Sequence, residues 1–315
     1  MELLDDKKEA PPAFDAETSG LHVADGELIN VSGHVQELDR TFGIWSICSI
    51  GVVSDNAWGA GGGALVVALY NGGGPGVLFG LIVATFFYAF IGASLAELSS
   101  AIPSSANVYH WASVTPGPKH GRVCSWFAGW WNCLAWTFGA ASSSLFGANA
   151  IMAMYTLYHL DFTPQNWQIF IAFLGITWID CLLVLFGQRI LARVATSFGV
   201  LCILLVVITT LICAIMPSQT GAGYGSNSFV WTDWENLTGW SSDGFVFLAG
   251  MLNGAYAIGT PDGVCHLCEE IPNPRVNVPW GIVAQLTTGF LTTFFFYISI
   301  VSITEPRLGG LDTDN

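Results

Sequence analysis

The chain has 315 residues, 52% of them hydrophobic and only 10% charged, with 36 Gly, 21 Phe and 13 Trp. This composition excludes intrinsic disorder, and 23 acids with 9 bases are too few to coat a soluble domain of this size. The expected class is an all-α polytopic membrane protein, and an acidic, membrane-embedded chain with net charge −14 is a poor partner for nucleic acid.

Residues 1–40 come first and carry a net −7, half of the total. Poor in apolar residues, they read as a solvated, disordered tail on the cytosolic side. No basic stretch followed by an apolar one marks a signal peptide. Seven apolar runs then follow, at about 41–70, 76–100, 123–158, 167–187, 194–216, 244–268 and 279–304. Each can supply the ~20 apolar residues that a bilayer core demands. The first and third are long enough to be tilted or broken. The segment 305–315 is a polar tail.

Charge fixes the expected orientation. With the amino terminus in the cytosol, Lys7, Lys8, Arg40, Lys119, Arg122, Arg189, Arg193 and Arg275 all fall inside, and Arg307 alone falls outside. Asn236-Leu237-Thr238 is a glycosylation sequon in the longest outside loop, whereas Asn30-Val31-Ser32 lies in the cytosolic tail. The glycine-rich stretch from Asn71 to Gly76 lacks the Gly-Lys-Ser/Thr ending of a phosphate loop, so it reads as a tight outside turn. Asp180, within the fourth run, reads as a packing or near-interface acid.

The eight cysteines lie in or beside apolar runs, so a disulfide framework is not expected. Cys265-His266-x-Cys268 offers two thiols and an imidazole with no fourth zinc ligand. It reads as helical packing, and no metal or cofactor is expected. No nucleophile–base constellation is visible, which argues against an enzyme.

Polar, glycine-rich sequence interrupts two runs near their middles. The first reads Ser54-Asp55-Asn56-Ala57-Trp58-Gly59 and the sixth Ile258-Gly259-Thr260-Pro261-Asp262-Gly263. Gly and Pro break the hydrogen-bond ladder, and the freed groups need partners in hydrocarbon. Paired broken helices are the sequence mark of a transporter's midplane site. Asp55 is the sharpest residue, because a carboxylate at this depth is costly. It has two readings of equal weight: partner for a cationic substrate group, or cap for the second half-helix, a role open also to Ser54 and Asn56. Asp262 is a further candidate substrate contact, although it leans toward a cap for the resuming helix. Gly259 and Thr260 offer backbone and hydroxyl groups. Trp58 and Tyr256 are aromatic faces that can hold an ammonium, although packing is the commoner role in so aromatic a chain.

Two stretches carry a resemblance. Glu97-Leu98-Ser99-Ser100-Ala101-Ile102-Pro103-Ser104-Ser105, continuing through Tyr109-His110-Trp111-Ala112 to Pro116-Gly117-Pro118, resembles the cytosolic loop of amino acid permeases of the amino acid–polyamine–organocation superfamily. Together with Gly250-Met251-Leu252-Asn253-Gly254-Ala255, Gly259-Thr260-Pro261-Asp262 and Glu269-Glu270-Ile271-Pro272, it is similar to the fungal amino acid/choline permease branch. The resemblance covers roughly 35–304. It implies a leucine-transporter-like inverted-repeat bundle and alternating access at the plasma membrane, often with a coupling proton or other ion. The substrate would be a small cationic or zwitterionic compound: choline first, 4-aminobutyrate or another amino acid second. It implies substrate contacts at Ser54, Asp55, Asn56, Gly259, Thr260 and Pro261. Two departures stand out. Ala106 and Asn107 occupy positions where the family usually has glycines. The family also has twelve spans where this sequence reads as seven, with spans one and six broken, which makes the inverted repeat incomplete. A truncated, non-transporting scaffold or nutrient sensor is the rival class. Nothing in the sequence sets the oligomeric state.

Overall fold

A computed structural model of the chain describes residues 22–24, 27–29, 40, 42–187, 190–221 and 223–304. Within the acidic amino-terminal segment, β1 (His22–Ala24) and β2 (Glu27–Ile29) form a short antiparallel hairpin. The rest of that segment, the Asn30 sequon, Arg189 and the tail 305–315 lie outside the described residues. All other regular structure among the described residues is helical.

The first apolar run is three helices rather than two. They are α1 (Ile44–Asp55), α2 (Ala57–Gly63) and α3 (Leu65–Leu69). The chain leaves α1 through Asn56, which adopts φ 37° and ψ 45°. Asparagine tolerates this left-handed conformation better than most L residues, so the sequence breaks the helix at a single position. A sharp turn at Tyr70–Gly72 leads into α4 (Gly73–Ala101), which fills the second run. The loop after it contains α5 (Asn107–Val114). The third run is one unbroken helix, α6 (Gly121–Tyr158), despite its 38 residues. Then come α7 (Asn166–Phe186), opened by a reciprocal Gln165–Gln168 capping box, and α8 (Leu191–Thr220). A short α9 (Asn227–Trp231) lies in the long loop.

The sixth run is α10 (Asp243–Ala257), an irregular stretch from Ile258 to Asp262, and a 3-10 helix at Gly263–Leu267. Ser242 starts α10 by accepting the Phe245 N–H at 3.4 Å. Pro261, which has no N–H to give, prevents its continuation. The last helix, α11 (Pro274–Ser302), has proline in its first turn, where a missing N–H costs nothing.

Four of these helices, α4, α7, most of α8, and α11, are long and apolar enough to cross a membrane. Their outer surfaces require one. α7 buries none of its residues, and Trp178, Ile179, Leu185 and Phe186 stand more than 60% exposed. Apolar surface on this scale is incompatible with water and natural against lipid tails. The chain is an integral membrane protein.

The interior has two apolar clusters. One joins α4, α10 and α11 through Leu78, Leu81, Ala257 and Tyr297. The other joins α1, α5, the 3-10 helix and α11 through Ile47, Trp111, Val264 and Ile282. Close approach depends on small residues. A Cβ at Gly254 would lie 2.8 Å from the Leu81 backbone on α4, so any larger residue pushes α10 off α4. Residues near 42, 105 and 266–271 gather at one end of the bundle. The Phe42 N–H donates to the Glu270 carbonyl at 3.4 Å, and the Glu269 N–H donates to Ser105 Oγ at 3.2 Å. At the other end the Gly72 N–H donates to the Glu235 carbonyl, and the Gly225 N–H to the Ser302 carbonyl.

Candidate functional site

The two interruptions meet. Asp55, the last residue of α1, is only 7% exposed. Its Oδ1 accepts the Thr260 hydroxyl from the second break at 3.2 Å. Thr260 is itself held from α11: Gln285 Nε2 donates to the Thr260 carbonyl at 2.7 Å and to its hydroxyl at 3.4 Å. That carbonyl also accepts the Gly263 N–H at 3.1 Å, so it does not go unsatisfied where the helix stops. The amide of Gln285, the hydroxyl of Thr260 and the carboxylate of Asp55 thus form a directional chain across three elements.

The second oxygen of Asp55 is different. Oδ2 is buried and has no hydrogen-bond partner. It faces Gly289 on α11, where a Cβ would come within 2.8 Å. The Gln285 amide and the Thr260 backbone N–H also act on the carboxylate as donors, but Oδ2 itself has no partner in bonding geometry. An unpaired carboxylate oxygen in an apolar interior is expensive, and a cation or a proton donor there relieves the cost. Asn56, at the N-cap of α2, makes no side-chain cap bond, and Asp55 gives one oxygen to Thr260 and leaves the other without a partner. The capping alternative for these two residues is therefore corrected. Asn56 Oδ1 instead accepts the Cys202 thiol at 3.2 Å.

Asp262 receives a second correction. It stands where a cap for the resuming helix would, but its side chain makes no cap bond. Its Oδ2 accepts Asn132 Nδ2 at 3.0 Å and Trp136 Nε1 at 3.2 Å, both from one face of α6. His266 Nε2 lies 3.4 Å from the same oxygen. Through Asn132 and Trp136 this carboxylate ties the second break to α6.

The other expected residues lie around the breaks with varied engagement. Ser54 is exposed beside Gly263. Trp58 stacks edge-on to Phe296 at 5.5 Å and donates to Cys202 Sγ at 3.2 Å, so it packs α2 against α8 and α11. Tyr256 is 41% exposed and meets Phe146 edge-on. Gly259 is half-buried and Pro261 buried in the turn. Cys265 and Cys268 sit in the apolar cluster while His266 turns toward Asn107 and Ser105, so the three diverge. Asn236 Nδ2 donates to the Trp240 carbonyl at 2.8 Å and to Asp243 Oδ1 at 3.0 Å, so a glycan there, which replaces one N–H, would displace at least one of these bonds. Asp180 is exposed along an apolar groove between α6 and α7.

The sequence reading missed Gln285, Asn132, Trp136 and a polar row on α11. Gln285, Gly289, Thr293 and Tyr297 recur every four residues and are buried. Tyr297 accepts Asn253 Nδ2 at 2.8 Å. A buried row at that period within an apolar span was the available signal.

A family model described as amino acid permease matches residues 42–307. The chain belongs to the amino acid permease family. Its members are membrane transporters rather than enzymes. Among its relatives is a choline transporter of Saccharomyces cerevisiae, 27% identical over 93% of this chain and 50% of the relative. A GABA-specific permease of the same yeast is 26% identical over 92% of this chain and 51% of the relative. A 7-keto 8-aminopelargonic acid transporter, also from that yeast, is 23% identical over 84% of this chain and 54% of the relative. The chain spans about half the length of the relatives it matches. No solved structure matches it.

Proposed function

We propose that this permease imports choline or a related amino compound across the plasma membrane by alternating access. The substrate sits where the two broken helices meet. In this reading the runs form seven spans with the amino terminus in the cytosol, and spans one and six are the corresponding broken members of a five-helix inverted repeat of leucine-transporter type. Loops rich in Lys and Arg then lie inside, as the bias in loop charge demands.

The observation that carries the proposal is the half-partnered Asp55. One oxygen is fixed by Thr260, so the carboxylate is already oriented, and the other is buried and unpaired. A cationic headgroup against Oδ2 gains an attraction that water would otherwise screen, without the cost of ordering a mobile side chain. Ser54, Asn56, Gly259, Thr260 and Pro261 line the junction. Tyr256 and Trp58 offer aromatic faces, each worth about 0.5–2 kcal/mol to an ammonium. Similarity to a GABA-specific permease favours a second substrate reading, an amino acid such as 4-aminobutyrate, whose ammonium would use the same carboxylate.

The test is uptake of radiolabelled choline and of 4-aminobutyrate by the full polypeptide, in cells lacking their own uptake of either. Choline uptake that Asp55→Asn abolishes, with surface expression unchanged, supports the proposal. Uptake of 4-aminobutyrate without choline selects the second substrate. Thermal stabilisation of the purified protein by either compound, with no uptake, selects a sensing role instead.

A further inference from the structure

The surroundings of His266 impose contradictory demands on one ring. Its Nδ1 lies 3.3 Å from the Ser105 carbonyl, which can only accept, so Nδ1 carries a proton. Its Nε2 lies 3.3 Å from Asn107 Nδ2 and 3.4 Å from Asp262 Oδ2. The amide nitrogen can only donate and the carboxylate only accept. The Asn107 amide is not free to turn and remove the conflict, because Nδ2 also donates to the Asp262 carbonyl at 3.1 Å. A neutral ring therefore takes the Asn107 N–H and presents a lone pair to Asp262. A protonated ring donates to Asp262 and faces a second donor at Asn107. No single protonation state satisfies both neighbours.

Asn107 is fully buried and stands at φ 48°. It belongs to the 102–107 loop, whose hydrogen bonds to the second break and the turn after it include Asn107 to Asp262, and Ser105 to His266 and Glu269. A buried N–H that loses its acceptor destabilises whatever holds it there. The geometry points to His266 as a proton-binding site whose occupancy transfers the ring from Asn107 to Asp262 and loosens the 102–107 loop from the second break. The ligand is a proton delivered from the end of the bundle where residues 42, 105 and 266–271 gather. The site stands on this hydrogen-bond geometry alone; only its use as a coupling step rests on the proposed transport.

The titratable groups around the ring are few and placed. Asp262 faces it from the break, Cys265 and Cys268 lie on its own turn, and the Arg40 guanidinium faces Cys268 and Glu269. Glu269 and Glu270 follow it, and burial, then the Glu269 charge, hold the Glu270 carboxyl above its ordinary range. From α5, His110 reaches the loop by its 3.2 Å contact with the Ser104 hydroxyl. α6 presents Asn132 and Trp136, both neutral. Asp262 is thus the acid that meets the ring directly, and its charge decides the sign of the response.

The experiment is a nitrogen-15 NMR titration of the histidine-labelled full chain in lipid nanodiscs from about pH 5 to 8, the range in which imidazole exchanges its proton. The His266 signals are identified by their loss in His266→Gln. Hydrogen exchange of residues 102–107, corrected for intrinsic rate, is followed in parallel. The expected result is a ring that is Nδ1-protonated at high pH and gains its second proton within the range, with exchange of the loop accelerating several-fold as it does. Asn107→Gly suits the positive φ and removes the donor that favours the neutral ring. It raises the midpoint and abolishes the pH dependence of loop exchange. Asp262→Asn removes the carboxylate that favours the charged ring and lowers the midpoint. Midpoints that Asn107→Gly leaves unmoved, or a ring that keeps one protonation state throughout, overturn the inference even if uptake is intact. Absence of uptake with opposite midpoint shifts overturns the transport reading and leaves the proton site standing.

Discussion

The two breaks carry one aspartate each, and the two carboxylates live differently. Asp55 has one bonded oxygen and one buried oxygen without a partner. Asp262 has Asn132, Trp136 and His266 around a single oxygen. Both breaks look alike in sequence: an acid, small residues, and a helix that stops in hydrocarbon. The difference lies in what the neighbouring helices bring. α6 meets the second break with an amide and an indole four residues apart, both pointing donors at Asp262. α11 meets the first break with Gln285, which donates to Thr260, and with Gly289, which has no side chain to offer Asp55 Oδ2. A carboxylate held by donors from a neighbouring helix is a fastening, and one with a buried, unpaired oxygen has capacity for a ligand.

This contrast predicts opposite outcomes for the same chemical change. Asp55→Asn is expected to have the largest functional effect. It removes a buried charge while keeping an acceptor for Thr260, so uptake falls tenfold or more, on the scale of about 1.5–3 kcal/mol for a charged hydrogen bond. Thermal stability in detergent stays level or rises, because an uncompensated buried charge is gone. Asp262→Ala is next. It leaves the Asn132 and Trp136 donors unpaired and is expected to cost about 1–3 kcal/mol of stability, read as a lowered melting temperature. A stable Asp262→Ala protein would break the contrast.

Smaller changes sharpen it. Thr260→Val keeps the shape and removes the hydroxyl between Gln285 and Asp55. Loss of one hydrogen bond of about 1 kcal/mol predicts a several-fold rise in the substrate concentration for half-maximal uptake, with expression unchanged. Trp58→Phe is expected to be mildest. It preserves the edge contact with Phe296 and loses only the bond to Cys202, so affinity should move by less than about twofold. A large effect would place the indole at the substrate rather than in the packing.

Much of the architecture was legible because it is local. Runs of apolar residues, glycines and Pro261 mark where helices start and stop, and the places of both breaks follow from them. Asn56 as the turning point is also legible, since few residues accept its left-handed conformation. Partners were not legible. That Asp262 meets Asn132 and Trp136 depends on which face of α6 turns inward, and α6 shows no gap in its apolar pattern to indicate it. Gln285 reaches Thr260 from 25 residues away. Asn107 stands where the family usually has glycine. The fold shows that it keeps the glycine-like φ and adds a side chain that joins two elements.

The most direct test of the account measures uptake and melting temperature on one preparation of Asp55→Asn. The account predicts choline uptake lost and the melting temperature unchanged or higher. Uptake retained at the level of the unaltered protein would contradict it, because the unpaired oxygen of Asp55 would then hold no substrate.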